Sequence, residues 1–358
     1  MSSANSKNSI KSIVVRGANW VGDSIMTIPA LRELSRIFPD AEIVLHTRKW
    51  AEGIFRNADF LDRIDAYEPS TSKIKDTIAQ SDILREQSFD LAILMPNSFE
   101  SALTARLALI PKRIGYNKDL RGLLLTDPIA VPEWKAKRHE VFYFMNLIAE
   151  VEKRFVGTDT VLRSEPDSTL QISDERKAEA RQILREAGVD LTKKVVALGA
   201  GSTNSRAKRW GANSYAKLND LLQNELRTNV ILVGSADETG IASEVQKLSE
   251  KPPIDMTGKT GLAEAAAILS VVDLLVSNDM GLAHIAPAVG TKTAVIFGPT
   301  DPVTTRPFSD NAVVVRHDVE CSPCMLRDCP IDHRCMTRIS VAEVFKVCRQ
   351  FLNPDQSE

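Results

Sequence analysis

Val276-Ser277-Asn278-Asp279-Met280-Gly281-Leu282-Ala283-His284 is the stretch on which the reading of this chain turns. The apolar run Val271-Val272-Asp273-Leu274-Leu275-Val276 before it reads as a buried strand, and the small-residue segment that follows, ending near Val289-Gly290, as a helix. A strand that ends in an acid and hands over to glycine at a helix start is a place to hold an anion. The first helical amides lack intrahelical partners and carry partial positive charge. The expectation is a phosphorylated ligand at this turn.

The same strand-loop-helix unit recurs on both sides. Ile13-Val14-Val15-Arg16 is a short buried strand, followed by Gly17-Ala18-Asn19-Trp20-Val21-Gly22-Asp23 and by Ile25, Ile28, Leu31 and Leu34 at helical spacing up to Phe38-Pro39. Further strands are predicted at Glu42 to His46, Arg63 to Tyr67, Asp90 to Leu94 and Lys112 to Tyr116, with helix-length segments between most of them. Ser98 is placed to cap a helix carrying Ala102, Leu103 and Leu107, and an apolar helix spans Val141 to Val151. The polar region from Arg163 to Asp174, with Pro166, breaks the alternation and marks a domain boundary. The rhythm restarts with strands at Lys194 to Gly199, Asn229 to Gly234, Val271 to Val276 and Thr293 to Phe297, with helices at Ser214 to Leu226 and Asp237 to Leu248. Strands alternating with helices imply parallel sheets covered on both faces. The fold class is therefore α/β, with two Rossmann-like doubly wound domains in series: residues 1–165, residues 166–340, and a last amphipathic helix within 341–358 carrying Val341, Val344, Phe345, Val347 and Phe351.

Composition narrows the function. With 358 residues, 43% hydrophobic and 26% charged, the chain can bury two ordinary cores. A net charge of −2 argues against nucleic acid as a partner. Met1 to Ile10 is Ser/Asn-rich without an apolar core, and no run of about 18 apolar residues occurs. A cytoplasmic protein, touching a membrane at most from its surface, is expected.

Ligands of doubly wound sheets bind outside the carboxyl ends of the strands, so the loops there carry the chemistry. In the first half they supply Asp23 and Asn97. Asp23 has two readings: a helix N-cap, worth roughly 1 kcal/mol, or a general base that removes a proton from an acceptor hydroxyl. The Gly17-x4-Gly22 spacing is neither a dinucleotide fingerprint nor a phosphate loop ending in Gly-Lys-Ser/Thr. In the second half, Gly199-Ala200-Gly201-Ser202-Thr203-Asn204-Ser205-Arg206-Ala207-Lys208-Arg209-Trp210 combines small residues, hydroxyls and three cations. It is either a basic surface loop or a cradle for the oxygens of a diphosphate. His284 either donates to a phosphate or packs as a neutral core residue.

Taken in order, several motifs together resemble glycosyltransferase family 9, in its lipopolysaccharide heptosyltransferase branch. They are Trp20-Val21-Gly22-Asp23 with Pro29-Ala30-Leu31, Leu94-Met95-Pro96-Asn97-Ser98-Phe99, Ala207-Lys208-Arg209-Trp210, Asn278-Asp279-x-Gly281-Leu282-x-His284 and Gly298-Pro299-Thr300-Asp301-Pro302. The likeness runs from about Ile13 to Phe351. It implies a GT-B architecture with a cleft between the domains and a final helix packing back on the first domain. It also implies inverting transfer of L-glycero-D-manno-heptose from ADP-heptose to the lipopolysaccharide inner core, with heptosyl-Kdo2-lipid A as the expected acceptor.

By the same resemblance Asp23 is the catalytic base and Lys208 the diphosphate lysine. Ser202, Thr203, Asp279, Gly281 and His284 join the donor site, with Met280 acting through its backbone amide where relatives often carry a hydroxyl residue. Asp237 or Glu238 falls where an acid contacts the ribose. Asn97, Arg113 and Arg121 are expected to meet the acceptor, with Lys118 beside them, and Trp134 to His139 offers four cations beside an aromatic for a membrane surface. An inverting displacement needs no covalent intermediate, and no cofactor is required; Mg2+ is compatible but not implied.

Cys321-x2-Cys324-x4-Cys329-x5-Cys335, with His333 inside, suits either unligated structural thiols or a zinc or iron–sulfur site; the reading taken assigns no metal ligand. Two other functions remain: a transferase using ADP-heptose on a protein or another glycan, and a noncatalytic nucleotide-sugar-binding protein. A dehydrogenase is disfavoured by the missing dinucleotide fingerprint.

Overall fold

The structure, a computed structural model, describes residues 10–353. The Ser/Asn-rich start therefore lies outside the described residues, Ile10 excepted. The chain divides into two compact units between Ser168 and Thr169.

The first unit is a six-stranded parallel sheet: β1 (Ser12–Arg16), β2 (Glu42–Arg48), β3 (Arg63–Tyr67), β4 (Leu91–Leu94), β5 (Lys112–Tyr116) and β6 (Asp127–Ile129), in the order β3-β2-β1-β4-β5-β6. Val14 on β1 lies between Val44 on β2 and Ala92 on β4, all three nearly free of solvent. The sheet is covered on both faces, which is why its strands are continuous apolar runs rather than alternating ones. The helix expected from Ile25 onward is two helices, Val21–Met26 and Ile28–Ile37, broken at Thr27. Pro29 has no N–H to continue the first into the second, and the Thr27 hydroxyl donates to Ser24 O at 2.7 Å instead. In the second helix Ile28, Leu31, Leu34 and Ile37 are buried at three-residue spacing. Ser98 caps the helix Phe99–Leu107, accepting from Ser101 N.

The second unit repeats the design with β7 (Val195–Gly199), β8 (Asn229–Leu232), β9 (Ile254–Asp255), β10 (Leu274–Asn278), β11 (Lys292–Phe297) and β12 (Ala312–Arg316), in the order β12-β11-β10-β7-β8-β9. Read from its other edge, this is the strand order of the first unit. Each sheet reverses direction once, between β1 and β4 and between β7 and β10, and these switch points are where doubly wound sheets bind ligands.

Strand β10 starts three residues later than the apolar run predicts. Val271 is consumed by a turn, its N–H bonding to Ile268 O, and Asp273 turns its carboxylate back to Val195 N at 2.8 Å and to Lys194 Nζ at 2.7 Å. Ser277 and Asn278 are consequently strand residues.

The last helix is Val341–Leu352. Its apolar face, Val344, Phe345, Cys348 and Leu352, is buried against the helix Ala212–Glu225 and against β10, β11 and β12 of the second unit. A capping box of Ser340 and Glu343 starts it, and Trp210 Nε1 donates to Ile339 O just ahead of it. No helix among the described residues is long and apolar enough to cross a membrane.

Candidate functional site

At the switch point of the second unit, Asn278 ends β10 with no exposure to solvent. Its Nδ2 donates to Ala200 O and Gly201 O, both at 2.9 Å, and its Oδ1 accepts from Trp210 N at 3.0 Å and Tyr215 OH at 3.1 Å. One amide thus ties the end of β10 to both ends of the loop after β7. Tyr215 serves this as a neutral donor, because burial pushes its phenol pKa well up.

The next residue, Asp279, is 5% exposed. It accepts through Oδ2 from Lys208 Nζ at 2.7 Å and from Thr300 Oγ1 at 2.7 Å. The ammonium of Lys208 is held at the mouth of the site, its side chain about a quarter exposed, with donors left over for an anion. Met280 is the extended N-cap of the helix Gly281–Ala288, whose first turn contains no acid, and His284 is buried in that helix. The fold therefore brings Lys208 to the turn formed by Asp279, Met280 and Gly281 at a helix N-terminus, with His284 in that helix.

Glycine is required here by close approach. A Cβ on Gly199 would lie 2.6 Å from Ser277 Oγ, and one on Gly201 2.1 Å from Glu238 Oε1. The latter fixes the two candidate acids apart. Glu238 is buried under the Gly201 backbone and accepts from Ser235 N at 2.8 Å in a capping box, whereas Asp237 beside it is exposed. Ser202 is buried, and its carbonyl accepts twice from Arg209, at 3.0 and 3.2 Å. Thr203 is exposed, 3.4 Å from Ser235 Oγ.

Sequence reasoning missed Asn278, quoted only as part of a motif, and missed what the cysteine loop does. That loop buttresses the Lys208 turn. Arg327 O accepts from Ala207 N at 2.9 Å and from Ser205 Oγ at 3.1 Å, Asp328 pairs with Arg206 at 2.7 Å, and His333 Nε2 meets Ala207 O at 2.5 Å. All five cysteines are free thiols. Burial raises the pKa of Cys335, as do Cys321, Cys324 and Cys329 nearby. Among the described residues no group of three His, Cys, Asp or Glu is placed to hold a metal ion.

In the first unit the loop after β1 carries Asp23 in the first turn of Val21–Met26, half-buried. Asp23 is not the N-cap: Trp20 occupies that position, without a side-chain cap bond, and is 54% exposed. Gly17 is fixed by Thr47, whose Oγ1 would lie 2.7 Å from an added Cβ. Asn97, after β4, donates to Tyr143 OH at 3.1 Å and accepts from Arg121 Nη2 at 3.3 Å.

The two arginines expected to meet an acceptor are interior braces. Arg121 is fully buried, donating to Tyr116 O at 2.8 Å, to Ser101 Oγ at 3.2 Å and to Pro96 O, and desolvation lowers its pKa to about 10. Arg113, 6% exposed, donates to Leu124 O at 2.8 Å and to Ile110 O. Each donates to carbonyls of its own unit, which commits those N–H groups to the interior.

A further buried cation, unforeseen in the sequence, ends β1. Arg16 is 6% exposed, lies 4.4 Å over the Tyr67 ring and donates to its hydroxyl, beside His46, whose pKa burial and Arg16 together lower to about 4.

Two doubly wound units in series, each with its ligand-binding loops at a switch point, are the architecture of the GT-B fold. The solved structure of E. coli ADP-heptose lps heptosyltransferase II matches 97% of this chain and 100% of its own, with a TM-score of 0.81 at 24% identity. The sequence profile of glycosyltransferase family 9 (heptosyltransferase) matches residues 79–334, and the chain belongs to that family. Similar curated proteins include lipooligosaccharide heptosyltransferase 2 of Haemophilus influenzae, 28% identical over 85% of this chain and 88% of that protein. Lipopolysaccharide heptosyltransferase 2 of E. coli K12 is 27% identical over 85% and 87%.

Proposed function

We propose that this enzyme transfers L-glycero-D-manno-heptose from ADP-heptose to a heptosyl-Kdo2-lipid A acceptor, with inversion, at the cytoplasmic face of the membrane that holds the acceptor. The observation that carries the reading is the Lys208–Asp279 pair beside the helix start at Gly281. Asp279 fixes the ammonium where a diphosphate would meet it together with the first amides of the helix, and charge developing on departing ADP is stabilised by groups already in place. Exposed Asp237 is the acid available to the ribose, whereas Glu238 is committed to its cap. His284 lines the first turn of the same helix as a second candidate donor to phosphate.

Asp23 is the proposed base. A half-buried carboxylate in the first turn of Val21–Met26 can take the proton of an acceptor hydroxyl as the new glycosidic bond forms and the bond to ADP breaks. The first unit thus supplies the base and the second holds the donor. No step calls on a metal, since Lys208 and the helix amides carry the leaving-group charge.

The test is ADP release with ADP-heptose and a panel of truncated lipopolysaccharide acceptors. Turnover should be greatest with the acceptor ending in one heptose on Kdo. Binding of ADP-heptose with neither transfer nor slow hydrolysis on any acceptor would sink the enzymatic reading.

A further inference from the structure

The chain from Asn117 to Leu125 leaves the carboxyl end of β5 and returns to β6, and it contains four leucines that the structure sorts in two directions. Leu124 and Leu125 pack into the core of the first unit, whereas Leu120 is 89% exposed and Leu123 is 95% exposed. The backbone of this tip is held at several points. Fully buried Arg121 sits between the two outward leucines and is pinned to Tyr116 O and Pro96 O. Gly122 lies so close to Asn117 that a Cβ would be 2.3 Å from its Oδ1. Asp119 and Leu120 are both in the left-handed region, at φ 54° and 61°, an uncommon conformation for two successive non-glycine residues. Strain of this kind persists where the surroundings over-determine it, and it points to use.

We infer that Leu120 and Leu123 form a rigid apolar tip that inserts into the surface of a lipid bilayer. Two protruding leucines bury far too little area for a stable protein interface, which needs about 800 Å² per partner. They suit the boundary between headgroups and acyl chains, where small apolar areas add to electrostatic attraction. The adjacent strand end supplies the second component. Asn117 N bonds to Ile129 O, so the chain leaving β6 starts beside the tip, and it carries half-buried Trp134 with exposed Lys137 and Arg138. Arg138 lies over the Phe142 ring at 3.7 Å and near Trp134 at 5.6 Å, an aromatic and cationic pairing suited to headgroup depth.

The charge excess is small. Lys118, Lys137 and Arg138 are exposed against Asp119 and Glu133, while Lys135 is neutralised by Glu140 at 2.8 Å. The leucines therefore carry the attachment, and the cations orient it toward an anionic surface. Both segments emerge at the carboxyl edge of the first sheet, the same edge as the Asp23 loop, so insertion presents that edge to membrane-borne substrates. The inference rests on the proposed lipid-borne acceptor for its purpose, though not for its geometry.

The experiment is co-sedimentation of the full chain with vesicles of 70:30 phosphatidylethanolamine and phosphatidylglycerol, free of any acceptor. The double variant Leu120→Asn, Leu123→Ser is compared with Leu109→Ser, an exposed leucine before β5 at the opposite end of that strand. Asparagine tolerates the left-handed conformation, and circular dichroism confirms the fold. The double variant should bind vesicles at least about tenfold more weakly, as expected when two leucines no longer leave water, while Leu109→Ser binds as the parent chain does. Transfer to a short water-soluble acceptor should be unchanged in both. Failure of that transfer in the parent chain counts against the proposed function and leaves the vesicle result standing. A parent chain that ignores the vesicles, a double variant that binds normally, or equal loss in Leu109→Ser overturns the inference. So does lipid-free self-association that the double variant abolishes, since a second copy would then be the occupant.

Discussion

Replacing Asn278 by alanine tests how the second unit holds the proposed phosphate site. The side chain makes four hydrogen bonds in a position without solvent exposure. Tyr215 OH retains Gly199 O at 3.2 Å, but Trp210 N, Ala200 O and Gly201 O lose their side-chain partner. Three stranded polar groups at about 1 to 2 kcal/mol each give a loss of roughly 4 kcal/mol, less whatever a trapped water recovers. Because the freed carbonyls belong to the loop that carries Lys208, ADP affinity should fall as well, at least about tenfold. Urea unfolding followed by Trp210 fluorescence measures the first effect and isothermal titration with ADP the second. Asn278→Asp, of the same shape, should fare no better, since a carboxylate has no donor for Ala200 O and Gly201 O. A loss below about 1 kcal/mol in Asn278→Ala, with unchanged ADP affinity, would refute the keystone role.

His46 and Arg121 give two further expectations. The folded-state pKa of His46 is about 4 against an ordinary 6.5, so between these values the unfolded chain binds a proton that the folded chain does not. Stability of the first unit should fall as pH drops from 6.5 to 4, by about 3 kcal/mol in all, and His46→Asn should flatten that slope in urea titrations taken across the range. Arg121→Ala should cost about 3 kcal/mol by stranding Tyr116 O and Pro96 O, lowering the melting temperature; a variant that melts normally but has lost acceptor affinity would restore Arg121 to a binding role.

The sequence and structure agree where a residue's environment is set locally. β3 and β5 have their predicted bounds, and Ser98 caps its predicted helix, because apolar runs and cap residues are signals that need no knowledge of neighbours. The short edge strands β6 and β9 carry no such signal: one contains Pro128, and the other is only two residues long and directly follows Pro252-Pro253. Asp279 was legible as a site residue from the strand-to-helix turn, but its ion pair with Lys208, 71 positions earlier, is a product of sheet order. Arg113 and Arg121 show the reverse. A cation in or just after a strand looks like a ligand-binding group in sequence, and only the structure shows the carbonyls to which it donates. Asn278 was illegible in role because all four of its partners lie more than 60 positions away.

The central claim is a division of labour, with Asp23 activating the acceptor and the Lys208–Asp279 turn holding the donor. Asp23→Asn keeps the shape of the first turn of Val21–Met26 and removes only the base. Measured side by side for ADP-heptose binding and for transfer to the preferred acceptor, this variant should bind the donor within about twofold of the parent chain and lose at least about a hundredfold in turnover, the low end of what a general base contributes. Near-normal transfer by Asp23→Asn would contradict the account.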